Sequence, residues 1–381
     1  MQEISKNKRI LIKIGSSSLV NEDYSVNEPM LVTILSEIKK LNDLGYIVCV
    51  VTSGAIAVGM HELGLKLKPK EMALKQACAA IGQAKLMEAY NKVASIYNLK
   101  LGQILLSHDD FQFRNRMIHL SNTLDSMFKN RIIPIINEND AIAVDEIKVG
   151  DNDTLAALIS PMIEANLVIL FSDIDGLFTK NPKVYNDAKL ISVVENIDKD
   201  IIDCATDSNS LVGTGGMKTK IDAAIITTMA GADMIICNSK EIKDLSKIAK
   251  GLKVGTLFKA KKNLISKREH WMIFKANSQG YIVIDDGVKE KLGERKLSIL
   301  PKGIIEVGDE FLAGSVIDIK DKNNLLIGKG ITNYSSSDIA LIKQLSSEEA
   351  KEKIGFLANK GVIYADDMVI LKEGYYGRFV K

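Results

Sequence analysis

Cysteine and histidine are scarce, with four of each in 381 residues. Cys49, Cys78, Cys204 and Cys237 show no CxxC spacing, and His61, His108, His119 and His270 form no ligand pair with them, so neither a disulfide framework nor a zinc site of ordinary spacing is expected. Free core thiols suit a reducing compartment, and the expected localisation is cytoplasmic. An excess of one charge is also lacking. Lys plus Arg number 50 against 48 Asp plus Glu, a formal +2, so no global field draws the chain to nucleic acid or to an anionic membrane. The partner is expected to be small. No window approaches the roughly 20 apolar residues that span a bilayer. The opening "MQEISKNKRILIKIG" has an apolar stretch broken by Lys13 and no small-residue cleavage site, which argues against a signal peptide. Repeats of fixed period and low-complexity segments are absent as well.

What is present is alternation. Short Ile/Val-rich runs, "RILIKI" (9–14), "YIVCVV" (46–51), "LGQILL" (101–106), "RIIPII" (131–136), "LVILFS" (167–172) and "DMIICN" (233–238), are separated by segments of helical period. The helices are expected over 30–44, with Gly45 as a stop, 73–97, about 112–129, 154–165 and about 217–230. This order predicts an α/β domain over residues 1–262, a doubly wound, mainly parallel sheet with helices on both faces. Composition shifts near 261–271. Beyond it, short strands separated by Gly303, Gly308, Gly314, Gly328 and Gly330 predict a small β-rich, barrel-like domain over 270–381.

In an open parallel sheet, ligands bind beyond the carboxyl ends of the strands. The residues there are Gly15-Ser16-Ser17-Ser18, Thr52-Ser53-Gly54, Asn137-Glu138-Asn139-Asp140 and Ser172-Asp173 with Asp175-Gly176. Turns of such residues are common singly; four on one edge point to a site. Lys13 interrupts a strand that should be apolar on both faces, and a buried ammonium requires an anion nearby. Asp151, Asn152 and Asp153 stand directly before an apolar helix. One of them suffices as a cap, and three exceed that need. With Asn139 and Asp140 they could recognise an ammonium group or organise lysines and metal-bound phosphates. The stretch "GTGGMKTK" (213–220) has the residues of a phosphate cradle, but Met217 precedes Lys218 where a P-loop needs glycine. A glycine turn that opens a helix can still offer N–H groups and a positive helix end to an anion.

Six blocks in order, "IKIGSSSL" (12–19), "VTSGAIAVG" (51–59), "INENDAIAVDEIKVGDNDTLAAL" (136–158), "FSDIDGLFTKNP" (171–182), "GTGGMKTK" (213–220) and "LPKGIIEVGDEFLAGSVI" (300–317), resemble the glutamate 5-kinases of the amino acid kinase family, which carry a C-terminal PUA domain. The resemblance covers almost the whole chain. It implies phosphoryl transfer from ATP to the side-chain carboxylate of L-glutamate, the opening step of proline synthesis, with proline as an inhibitor and a homo-oligomeric assembly. It places catalytic roles on Lys13, Asp153 and Lys220, and glutamate binding on Ser53, Asp140 and Asn152. ATP binding falls on Lys13, Gly15, Ser172, Asp173 and the loop Thr214, Gly215, Gly216, Met217, Lys218, Thr219 and Lys220. No protein-borne metal site is implied; Mg²⁺ is expected to arrive on ATP. Lys218 stands where the family often has a small polar residue, so the division of labour between Lys218 and Lys220 stays open.

The chemistry suits these residues: a carboxylate is already an anionic nucleophile and needs no general base. Two further readings are another small-molecule kinase of the family and an RNA-binding role for the second domain. Residues 268–381 hold 17 basic and 17 acidic side chains, whereas a backbone-binding module usually shows a basic excess. RNA is therefore not expected, although an even count leaves room for a clustered basic face.

Overall fold

Strand β1 (Arg9–Ile14) lies at the centre of the larger sheet, hydrogen-bonded in parallel to β2 (Ile47–Val51) on one side and to β5 (Leu167–Ser172) on the other. The computed structural model describes residues 8–142, 152–182, 184–206, 216–261, 266–274, 276–294, 297–355 and 361–371. Within them the chain forms two compact units, Met1–Leu264 and Ile265–Lys381.

In the first unit, β3 (Lys100–Leu106), β4 (Ile132–Glu138), β6 (Val193–Val194), β7 (Asp233–Asn238) and β8 (Thr256–Phe258) complete eight strands in the order β3-β4-β2-β1-β5-β7-β8-β6. All neighbours are parallel except β7 and β8. The chain winds outward from β1 in both directions, so the switch in strand order falls at the carboxyl end of β1. Ile10, Ile12 and Ile14 join one buried cluster with Leu31, Ile34, Leu35 and Ile38 of helix α2 (Glu28–Asp43). Period-two alternation turns Lys13 to the opposite face.

The predicted elements form within one to three residues of the expected bounds, with two informative differences. The helix expected over 154–165 is α7 (Asn152–Ile159), because Pro161 cannot continue it. A further helix, α3 (Ala55–Glu62), follows the β2 turn. Gly54 starts it at φ +97, a left-handed conformation that favours glycine. Helix α3 lies against α4 (Met72–Ile96) so closely that a Cβ on Gly82 would stand 1.8 Å from the Ala55 carbonyl oxygen. This contact fixes the Ser53–Ala55 turn against a long, rigid helix.

The second unit carries a five-stranded sheet in the order β10-β9-β11-β12-β13, made of β9 (Tyr281–Ile284), β10 (Ile304–Gly308), β11 (Val316–Lys320), β12 (Leu326–Thr332) and β13 (Ile363–Ile370). The β-rich expectation holds. It omits four short helices, Lys267–Phe274, Asp286–Glu294, Ser336–Ile342 and Ser347–Ile354, which help cover the sheet. The last two begin with capping boxes, on Ser335 with Asp338 and on Ser346 with Glu349.

Candidate active site

Asp153, the second residue of α7, accepts two buried lysines. Lys13 Nζ stands 2.6 Å from Asp153 Oδ1, and Lys220 Nζ 2.9 Å from Oδ2. Lys220 is in the first turn of α9 (Met217–Met229), which packs on α7. All three side chains are buried, Asp153 to 1% relative exposure. Burial works to raise the Asp153 pKa, but the Lys13 and Lys220 ammoniums outweigh it and hold the carboxyl below its ordinary value. The start of α7 favours a carboxylate in the same sense. Two cations around one anion leave a net positive charge in a buried place, suited to an anionic ligand.

Asn152 precedes Asp153, and its Nδ2 donates to the Thr52 carbonyl (2.7 Å), Ser53 Oγ (2.8 Å) and Asn137 Oδ1 (3.0 Å). A carbonyl only accepts, so these contacts set the amide orientation. Asn152 Oδ1 is buried with no hydrogen-bond partner among the described residues. A buried acceptor left open at a cavity wall is suited to a donor such as an α-ammonium. Below it, the Thr52 hydroxyl lies 3.1 Å from Tyr90 OH, a phenol that burial pushes up to about 12. On the other flank Ser18 Oγ donates to Ser239 Oγ (2.7 Å), which donates to the Ser172 carbonyl (2.8 Å), tying the β1 turn to the β5 turn. Ser172 Oγ donates to Asp173 Oδ1 at 3.0 Å.

These turns enclose one cavity of about 480 Å³. It brings together Lys13, Gly15, Ser53, Asp140, Asn152, Asp153, Ser172, Asp173 and Lys220, residues drawn from six separate stretches of the chain. Gly216, Met217, Lys218 and Thr219 do not line it, and Lys218 is exposed. Thr214 and Gly215 lie outside the described residues, as does Asp151. Two polar side chains of the wall escaped the sequence reading. Tyr24 lies in a short hairpin closed by a Val20–Val26 bridge, at φ +67, and the backbone oxygen of Asp23 is 2.9 Å from His61 Nδ1. Lys68 comes from the loop after α3. Neither follows a sheet strand at its carboxyl end or interrupts an apolar run, and the Asn21–Ser25 turn that holds Tyr24 reads as an ordinary connection, so no local signal marked them.

Among the described residues no group of three or more His, Cys, Asp or Glu side chains could hold a metal ion, and no helix is long and apolar enough to cross a membrane.

Residues 8–238 match the family described as "Amino acid kinase family", and residues 280–354 match the "PUA domain". A protein of Caldanaerobacter subterraneus subsp. tengcongensis named "Glutamate 5-kinase" is 41% identical over 96% of this chain and 98% of its own length. A second of that name, from Carboxydothermus hydrogenoformans, is 40% identical over 97% of this chain and 100% of its own.

Proposed function

The chain belongs to the amino acid kinase family, on the side of its glutamate 5-kinases, and from that premise we propose that it moves the γ-phosphoryl group of ATP to the side-chain carboxylate of L-glutamate. The product is L-glutamyl 5-phosphate, for proline synthesis. The observation that carries the reading is the buried Lys13–Asp153–Lys220 arrangement opening onto the cavity.

Two anions must be brought together, so the demand is for fixed cations and positioning. Lys13 and Lys220 supply the cations at the point where phosphoryl charge develops. Asp153 holds both in place and stays ionised. Ser172, Asp173, Gly15 and the backbone of the 214–220 stretch flank the nucleotide, with the Lys220 side chain turned inward. Ser53, Asp140 and Asn152 take the amino acid, with its α-ammonium on Asn152 Oδ1 and toward Asp140. Asp153 spends both oxygens on lysines, so the cavity suits an ion carried by ATP: Mg²⁺ held by phosphate oxygens would neutralise phosphate charge. Every lining residue of the cavity belongs to the first unit. Residues 1–262 are accordingly read as the catalytic domain, and 270–381 as a PUA-like domain acting on regulation or assembly.

The test is Mg²⁺-dependent ATP turnover across L-glutamate, aspartate, N-acetylglutamate, carbamate and UMP, with the acyl phosphate trapped as its hydroxamate. Glutamate should be the best acceptor; equal turnover with aspartate or UMP would move the assignment to another kinase of the family.

Proline presents the same α-carboxylate and α-ammonium, so it should compete with glutamate for the Asp140 and Asn152 side of the cavity. In Asn152→Ala, KM for glutamate and the inhibition constant for proline should rise together, by about tenfold for a lost hydrogen bond to a charged group. Unchanged proline inhibition beside a collapsed glutamate affinity would separate the two sites.

A further inference from the structure

We propose that the first unit holds a second ligand site, for a compact zwitterionic amino acid, and that occupation of this site tightens glutamate binding. The coupling half of the proposal rests on the glutamate reading above. A cavity of about 300 Å³ lies between α4 and the ends of β3 and β4, and it shares Ala55, Glu138 and Asp140 with the first cavity. Its volume is at the small end of ligand pockets, which suits a molecule of amino-acid size. Ala79, Ala80 and Ala84 make its helical wall, room for a small apolar body and no more.

The polar group that points to a ligand is Gln83. It is 7% exposed and lines this cavity, and its Nε2 has no hydrogen-bond partner among the described residues. A buried amide donor left without an acceptor is costly, and a ligand carboxylate would satisfy it. Glu138 on the shared wall favours an ammonium at the other end, so the ligand is a zwitterion and not a simple anion.

The orientation of Gln83 is dictated from the first cavity. Asn152 Nδ2 donates to Asn137 Oδ1 at 3.0 Å, which turns Asn137 Nδ2 onto Gln83 Oε1 at 2.8 Å, which leaves Gln83 Nε2 for the second cavity. Asn137 is itself 1% exposed, so no solvent competes for these bonds. Flipping any one amide would set donor against donor or acceptor against acceptor along the relay. An acceptor bound to Gln83 Nε2 therefore favours the state in which Asn152 Oδ1 faces the first cavity and is open to the α-ammonium of glutamate. Coupling of this kind is reciprocal, so glutamate must tighten the second ligand by the same factor.

The probe is radiolabelled L-alanine, which has no side-chain carboxylate to phosphorylate, in equilibrium dialysis with the full chain. Saturable binding is expected, tightened about fivefold or more by saturating L-glutamate, with labelled glutamate tightened equally by alanine. Ala84 is exposed on α4, so Ala84→Phe fills the cavity without entering the core. It should abolish alanine binding and leave the affinity for glutamate alone unchanged. Absence of saturable binding at about 10 mM, a weak-affinity ceiling, would overturn the site. So would alanine binding that survives Ala84→Phe. Displacement of alanine by glutamate, or indifference to it, would overturn the coupling. Dialysis needs no turnover, so failure to phosphorylate glutamate would show in the kinetic panel and leave the alanine result readable.

Discussion

Asp153→Ala is expected to lower the denaturation midpoint of the first unit by the equivalent of about 3–5 kcal/mol, because it removes the counter-ion from two buried ammonium groups at once. Turnover should fall to background in the same variant. Asp153→Asn keeps the shape and separates the two consequences: it should fold better than the alanine variant and remain nearly inactive, since a neutral amide holds neither lysine firmly. The single tryptophan, Trp271, lies in the second unit, so its fluorescence reports that unit and serves as an internal control. Circular dichroism should show the destabilised transition while the tryptophan signal keeps its midpoint. The pH dependence has a definite sign. The Asp153 pKa is depressed in the folded protein, so its contribution is complete above the ordinary carboxylate pKa. It is lost as pH falls below that value through the depressed one. An Asp153→Ala protein with wild-type midpoint and turnover within about threefold, too small for a preorganised charge, would remove the arrangement from both stability and catalysis.

Lys13→Ala and Lys220→Ala should each lower kcat by about 10²–10³, the loss found when one preorganised electrostatic donor is deleted from a water-excluded site. The effect should be concentrated in kcat. These ammoniums act where phosphoryl charge grows, whereas glutamate is held by Ser53, Asp140 and Asn152, so KM for glutamate should change little. Lys218→Ala supplies the contrast. Lys218 is exposed and does not line the cavity, while Lys220 two residues on is buried against Asp153. Activity of the Lys218 variant should stay within about threefold of wild type, the ordinary scale for a surface substitution outside the site. A large loss at Lys218 with little at Lys220 would reverse the roles and place the Lys218 side chain on the nucleotide phosphates.

The alternation of strands and helices, the edge of the sheet that bears the polar turns, and the two residues that break its rules, Lys13 in an apolar strand and Asp153 in an oversized acidic cap, are all written in the amino-acid order. These are legible because strand and helix periods, turn chemistry and the cost of a buried charge are local properties. Tertiary structure decided which lysine matters. Nearly every residue of α9 from Lys220 to Met229 is buried, so the helix has little amphipathic phase to separate Lys218 from Lys220. Only its packing on α7, across 67 residues of sequence, does so. The same holds for the amides of Gln83, Asn137 and Asn152. Their types are visible in the chain, but which end donates and which stays open is set by partners 54, 15 and 100 residues away. Tyr24 and Lys68 reach the cavity through a hairpin and a loop whose paths depend on α3, and α3 depends on the close approach of Ala55 to Gly82. Donor direction and cavity shape are relations between distant segments, and a one-dimensional pattern carries the residues but not their facing.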